Sequence, residues 1–168
     1  MSNDVYRRIE AGTMTIRSLG EDDLPEVLDI ECQGYSFPWS ESVFRGCFRP
    51  DYRLWALEKW GRLTGYAVVA YMAGDAHLLN LCVATSDRRS GAGRHLLRHL
   101  VVESARDGMS QVLLEVRDSN AGAIDLYASE GFSVIGRRPG YYPGGPERED
   151  ALVMALSLNG HCPSSGPP

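Results

Sequence analysis

Arg88-Arg89-Ser90-Gly91-Ala92-Gly93 is the segment on which the reading of this chain turns. An apolar run, Ala76 to Ala84, precedes it. An amphipathic run, Gly91 to Arg106, follows, with Leu96, Leu97, Leu100 and Val101 as its stripe and Gly108 as its stop. The segment therefore joins a strand to a helix. Two glycines let the backbone bend and let a ligand approach closely. The first amides of a helix have no partner within it and point outward as anion donors. Arg88, Arg89 and Arg94 crowd that helix start, where positive side chains oppose the macrodipole. A local rule broken this way suggests that an anion binds there. Taken alone, the segment is also compatible with a Gly-rich turn on a basic surface. It is not a dinucleotide fingerprint: Gly91-Ala92-Gly93-Arg94-His95-Leu96 ends in Leu, and polar residues Ser86 to Arg89 precede it. No Gly-Lys-Ser/Thr occurs, which excludes the usual NTP loop.

Working outward, Thr13 to Ser18 predicts a strand, and Asp22-Asp23 opens a helix with Leu24, Val27, Leu28 and Ile30-Glu31 on one face. Ser40 is a plausible N-cap for a short helix through Phe48. Arg53 to Lys59 and Leu63 to Met72 read as strands turned at Trp60-Gly61, and Ala76 to Ala84 follows the turn at Gly74-Asp75. Beyond the glycine loop come a strand (Gln111 to Val116), a helix (Asn120 to Glu130) and two strands (Phe132 to Arg137, Ala151 to Leu158). Hairpins in the first half and strand-helix-strand units in the second predict a mixed α/β (α+β) sheet of about seven strands with about four helices on its faces. The expected organisation is a flexible segment over 1–12, one domain over 13–158, and a Pro/Ser/Gly-rich disordered tail over 159–168.

The chain has 168 residues and a net charge of −5, from 17 basic and 22 acidic side chains. That balance argues against a general nucleic-acid binder and permits a basic peptide as partner. No apolar run is long enough for a membrane span, and residues 1–12 lack the apolar core of a secretory signal. Cys32, Cys47, Cys82 and Cys162 form no CxxC pair and read as reduced thiols of a cytoplasmic protein. His77, His95, His99 and His161 do not form a metal set, and no metal is expected; His95 and His99 read as a solvated helix face.

The spacing Arg-x-x-Gly-x-Gly at Arg88 to Gly93 resembles the acetyl-CoA loop of the GNAT acetyltransferase superfamily, and the strand order matches. The run Leu114-Glu115-Val116-Arg117-Asp118-Ser119-Asn120 through Tyr127, with Glu130-Gly131-Phe132, looks like that family's second cofactor-facing segment. Phe37-Pro38-Trp39-Ser40, Asn80-Leu81-Cys82-Val83, Tyr141-Tyr142-Pro143 and Arg148-Glu149-Asp150-Ala151 narrow the likeness to its RimI group. Those bacterial enzymes acetylate the N-terminal alanine of small-subunit ribosomal protein number eighteen. The resemblance covers about residues 13 to 158. It departs at Cys82 and Gly122, where Ala is usual; Gly122 weakens its helix by roughly 0.5–1 kcal/mol.

What the resemblance implies is an enzyme that takes acetyl-CoA as co-substrate. Its ligands would be Arg88, Arg89, Ser90, Gly91, Ala92, Gly93, Arg94, Asn120 and the backbone of Leu81, Cys82 and Val83. Acetyl transfer to an amine needs a base, a stabiliser of the oxyanion and a proton for the departing thiolate. Glu115 shares a strand face with Leu113, opposite Val112, Leu114 and Val116; a carboxylate in such an apolar run is costly unless solvated or used. It is the candidate base, the alternative being an exposed strand edge. Tyr127 is the candidate acid, the alternative being a core tyrosine; its place in the family segment favours catalysis. Asn120 is also a plausible helix N-cap. Tyr35, Phe37, Pro38 and Trp39, with Arg138, Tyr141 and Tyr142, are aromatic loops suited to a peptide end. Glu31 and other acidic residues are read as facing a basic peptide. The expected partner is the basic N-terminal peptide of a ribosomal protein, met by a monomer with no nucleic-acid or membrane contact. Acetylation of other N-termini or small amines, or acetyl-CoA binding without turnover, remain open on the same fold.

Overall fold

Two-residue reversals organise the first half of the sheet. β1 spans Thr15–Ser18, β2 Tyr52–Lys59, β3 Arg62–Met72 and β4 Asp75–Val83. Trp60 and Gly61, joining β2 to β3, have φ of 58° and 69°, the left-handed turn that matches the twist of antiparallel neighbours. The computed structural model describes residues 14–160. The expectations for 1–12, for Thr13 and for the tail from 161 onward, with His161 and Cys162, lie outside the described residues.

Between β1 and β2 the chain forms α1 (Leu24–Gly34) and the short α2 (Glu41–Arg45), the latter capped by Ser40, whose Oγ accepts from the Val43 amide at 3.4 Å. After β4, α3 (Ala92–Arg106) carries the chain back so that β5 (Gln111–Arg117) pairs parallel with β4. Then come α4 (Ala121–Ser129), β6 (Ser133–Tyr142) and β7 (Glu149–Ser157). β7 inserts between β5 and β6, so the seven strands run β1-β2-β3-β4-β5-β7-β6. The mixed sheet and its four helices are those the pattern predicts. The last hairpin is longer than predicted: Arg138 to Tyr142 continues β6 instead of forming a loop. Gly140, at φ 57°, donates its amide to Asp150 Oδ1 at 2.9 Å, which keeps the irregular stretch attached to β7.

Each face of the sheet has its own apolar layer. Leu96, Leu97 and Leu100 of α3 pack with Leu57, Val69, Leu114 and Met154. Leu24, Val27 and Ile30 of α1 and Phe44 of α2 pack with Ala56, Tyr66 and Val68. Burial on both faces makes β3 a nearly continuous apolar run. Contrary to the solvated face predicted for His95 and His99, only His95 is exposed. His99 sits edge-on to Trp55, with ring centroids 4.5 Å apart, and its Nε2 is buried without a hydrogen-bond partner.

Candidate active site

The site begins where β4 and β5 part. They pair only at Ala76↔Val112, His77↔Leu113 and Leu78↔Leu114. At that point β4 carries a bulge: Val69 opposes Leu78 and Val68 opposes Asn80, leaving Leu79 extra. A bulge bends its strand and reverses the face of every later residue. Ala76 and Leu78 therefore face α3, whereas Asn80 and Cys82 face α1 and Leu81 and Val83 return to the α3 side.

The backbone polar groups alternate as well. Ala84 N–H donates to Thr64 O at 2.8 Å; in an antiparallel ladder, residues directed toward the partner strand alternate with residues directed away. Cys82, two residues back, thus turns its N–H to β3, while Leu81 and Val83 turn theirs into the gap that β5 vacates. The matching carbonyls are occupied: Tyr35 Oη donates to Leu81 O at 2.9 Å, and Arg88 Nε lies 3.5 Å from Val83 O. Of the three amides implied by the resemblance, two face the gap.

The glycine loop follows a 3-10 turn, Thr85–Asp87. Arg89 and Gly91 both have left-handed backbones, with φ of 60° and 85°. A positive φ is uncommon for a non-glycine residue, and a Cβ at Gly91 would meet nothing within 4 Å, so its glycine answers to the backbone angle, not to crowding. Ser90 Oγ donates to Asp87 O, tightening the turn. α3 starts with no side-chain cap and no acidic residue in its first turn, which leaves its leading amides available to an anion. Arg94 does not turn its guanidinium to this loop. It binds Glu130 and, at 3.0 Å, Ser129 Oγ, while Arg98 holds the same Glu130 at 2.9 Å. The pairing follows from the docking of α3 beside the end of α4, which only the folded chain creates.

Glu115 lies on β5 one residue beyond the last β4 pair, with its side chain about one-fifth exposed. Arg138 Nη2 is 3.4 Å from Glu115 Oε1. The arginine predicted to meet a peptide thus faces the candidate base. Tyr127 is buried in α4 beside Phe132. Burial pushes its phenol pKa up to about 12, and nearby Tyr142 adds to the rise. Tyr142 is also raised to about 12, first by burial, then by Tyr141 and Glu115. Tyr35 is shifted upward by burial, with Cys82 and Tyr127 among the neighbours that add to it. Tyr142 is thus the phenol that senses both Tyr141 and Glu115, and it in turn acts on Tyr127 and Tyr35. All three phenols hold their protons at neutral pH.

The predicted aromatic loops flank this cluster. Trp39 packs on Phe44 at 5.2 Å, whereas Phe37 and Pro38 are exposed. Tyr141 is exposed and stands edge-on to Tyr142 at 4.9 Å, with the Arg138 guanidinium 5.4 Å from its ring. Asn120 caps α4, its Oδ1 accepting from the Ala123 amide at 3.2 Å. Cys82 Sγ points at Ile30 O, and burial raises its pKa to about 11. Glu31 faces no peptide: it is 1% exposed and bonded within the fold to Tyr66, Asn80 and Trp39. Its partnership with Tyr66 and Asn80 is the feature that sequence reasoning missed. The available signal was a carboxylate on the apolar face of α1. Among the described residues, no three His, Cys, Asp or Glu side chains gather as a metal site, and no helix is long and apolar enough to cross a membrane.

The sheet parted between β4 and β5 and the Arg-x-x-Gly-x-Gly helix start after it agree with the acyl-transfer class that the resemblance implies. The chain belongs to the GNAT acetyltransferase family, whose profile matches residues 14–132. Within it the likeness is to RimI. The chain is 40% identical over 145 residues to the ribosomal protein bS18-alanine N-acetyltransferase of Escherichia coli strain K12, covering 86% of this chain and 98% of that one. It is 31% identical over 144 residues to the enzyme of the same description from Haemophilus ducreyi, covering 85% and 99%. The crystal structure of the Escherichia coli ribosomal-protein-S18-alanine N-acetyltransferase superposes with a TM-score of 0.83, covering 87% of this chain and 94% of that one.

Proposed function

We propose that this chain transfers the acetyl group of acetyl-CoA to the N-terminal alanine α-amine of ribosomal protein bS18, with Glu115 as base and Tyr127 as acid. The observation that carries the reading is the parting of β4 from β5. It leaves the Leu81 and Val83 amides facing a gap that Glu115 borders from the other strand and beside which Tyr35 holds Leu81 O. The 40% identity to an enzyme named for this substrate supports the choice of amine.

The glycine loop suits a pyrophosphate. The α3 amides from Ala92 to Arg94, the backbone of Ser90 to Gly91, and the Arg88 and Arg89 side chains would hold it. Asn120 would contribute its free amide while its Oδ1 caps α4. Arg94 enters through its backbone, since its guanidinium is committed to Glu130. Bound there, acetyl-CoA supplies an activated acetyl thioester. Glu115 takes the proton of the incoming ammonium, directly or through one water, and Arg138 yields its contact as that cation arrives. The Leu81 and Val83 amides present donors where negative charge develops on the acyl oxygen. Tyr127, protonated at neutral pH because its pKa is near 12, gives its proton to the departing sulfur. Tyr35, Phe37, Pro38 and Trp39 on one side, with Arg138, Tyr141 and Tyr142 on the other, receive the basic N-terminal peptide. The expected partner is that peptide, met by a monomer in the cytoplasm, where a ribosomal substrate is found.

The test is mass spectrometry of products formed from acetyl-CoA and an Ala-starting basic peptide. One added acetyl group on the α-amine is the expected result. Acetylation of small amines alone overturns the substrate, and binding without turnover overturns the chemistry.

A further inference from the structure

Glu31 belongs to no part of the chemistry just described, yet it is the most buried carboxyl group among the described residues, at 1% exposure. No arginine or lysine pairs with it there. Its two oxygens instead collect three donors from separate elements. Oε1 accepts from the Trp39 backbone amide at 2.9 Å. Oε2 accepts from Tyr66 Oη on β3 and from Asn80 Nδ2 on β4, the latter at 2.9 Å. A buried carboxyl without a counter-ion is a poor route to stability, and well-packed apolar residues often serve as well or better.

What this one does is geometric. Trp39 closes the aromatic loop that begins at Tyr35, and Asn80 is the first residue beyond the β4 bulge. The same loop is tied again one residue on, where Tyr35 Oη binds Leu81 O. The two ties hold the aromatic loop at a set distance from the strand whose amides face the gap. The network is also incomplete, because Asn80 Oδ1 is buried with no partner. The side-chain hydrogen bond that holds Asn80 is therefore the one its Nδ2 donates to Glu31.

We propose that Glu31 is a positioning residue that sets the spacing between the acceptor-binding loop and β4, and so controls acceptor KM. The inference rests on the reading of Tyr35 to Trp39 as the acceptor loop. Its test uses the full chain and whichever acceptor the wild type acetylates, Ala-starting peptide or small amine.

Glu31→Gln replaces one of the two acceptor oxygens by an NH2 donor, which then faces either the Trp39 amide or the Tyr66 and Asn80 donors. The expected result is an acceptor KM raised at least tenfold, with kcat and acetyl-CoA affinity within twofold of wild type. In hydrogen exchange, the Trp39 amide is expected to lose protection at least tenfold while β3 amides keep theirs. Tyr66→Phe removes one donor, keeps the ring and guards against a misfolded first variant; it is expected to raise KM by a smaller factor. An unchanged KM in folded variants, or acetyl-CoA affinity falling in parallel with it, overturns the proposal. If the wild type ignores the peptide but uses a small amine, the substrate reading fails alone. Loss of Trp39 protection without any change in acceptor KM overturns the proposal and leaves the substrate reading standing.

Discussion

Gly34, the last residue of α1, offers a sharp test of how that helix meets β4. A Cβ built on it would lie 2.6 Å from Cys82 Sγ and 3.5 Å from Arg88 Nη2. The first distance is well inside contact, so Gly34→Ala must displace the thiol. Cys82 is 5% exposed, and its Sγ points to Ile30 O at 3.7 Å, which limits where the sulfur can go. Overpacking of this kind costs about 1–3 kcal/mol. Against it stands the gain from replacing a helical glycine by alanine, about 0.5–1 kcal/mol. Gly34→Ala alone is therefore expected to destabilise by about 1–2 kcal/mol. In a Cys82→Ala background the clash is gone and the helical gain remains, so the same substitution is expected to be neutral or stabilising. The cycle predicts a coupling of about 2 kcal/mol, which corresponds to about 4–8 °C in Tm for a chain of this size. Urea denaturation of the four proteins measures it. A Gly34→Ala effect of the same sign and size in both backgrounds, with coupling below about 0.5 kcal/mol, would refute the steric argument.

Glu115→Gln is expected to lower kcat/KM by about 10²-fold or more. The deficit should widen toward acid pH, where little amine is free without a base; an equal loss at every pH counts against the assignment. Tyr127→Phe is expected to slow turnover while acetyl-CoA affinity, read by calorimetry, stays nearly intact; a large affinity loss would indicate a packing role beside Phe132. His99 makes a pH prediction with a definite sign. Burial holds its imidazole below the ordinary 6.5, so the folded state resists a proton that the unfolded chain accepts. Its contribution to stability is complete above about pH 6.5 and is lost as pH falls through the lower folded value. Urea midpoints at pH 7.5 and 5.5 measure the slope, and His99→Gln is expected to flatten it.

Much of the architecture is legible because it is local. The apolar spacing of Leu96, Leu97, Leu100 and Val101, the glycines of the loop and the turn at Trp60-Gly61 act within a few residues of themselves. The helix start after Arg88 is legible for the same reason, since exposed amides at a helix N-terminus need no distant partner. The length of the final hairpin was not legible, because Gly140 depends on Asp150 across it. Arg94 and Arg138 have suitable charges for the roles read from sequence, but their guanidiniums lie against Glu130 and Glu115.

By itself, then, the sequence determined the order of seven strands and four helices and the helix start after Arg88, while Glu115 and Tyr127 are candidates that come from the resemblance. Tertiary structure alone decided which backbone groups face the gap and which groups Glu31 binds. The extra residue Leu79 is one apolar position in an apolar run, so nothing in the pattern marks it. Only pairing with β3 makes it a bulge, sends Asn80 toward Glu31 and leaves Leu81 and Val83 facing away from β3. Periodicity records which residues are buried, whereas the partner each one meets is set by strands and helices tens of residues away.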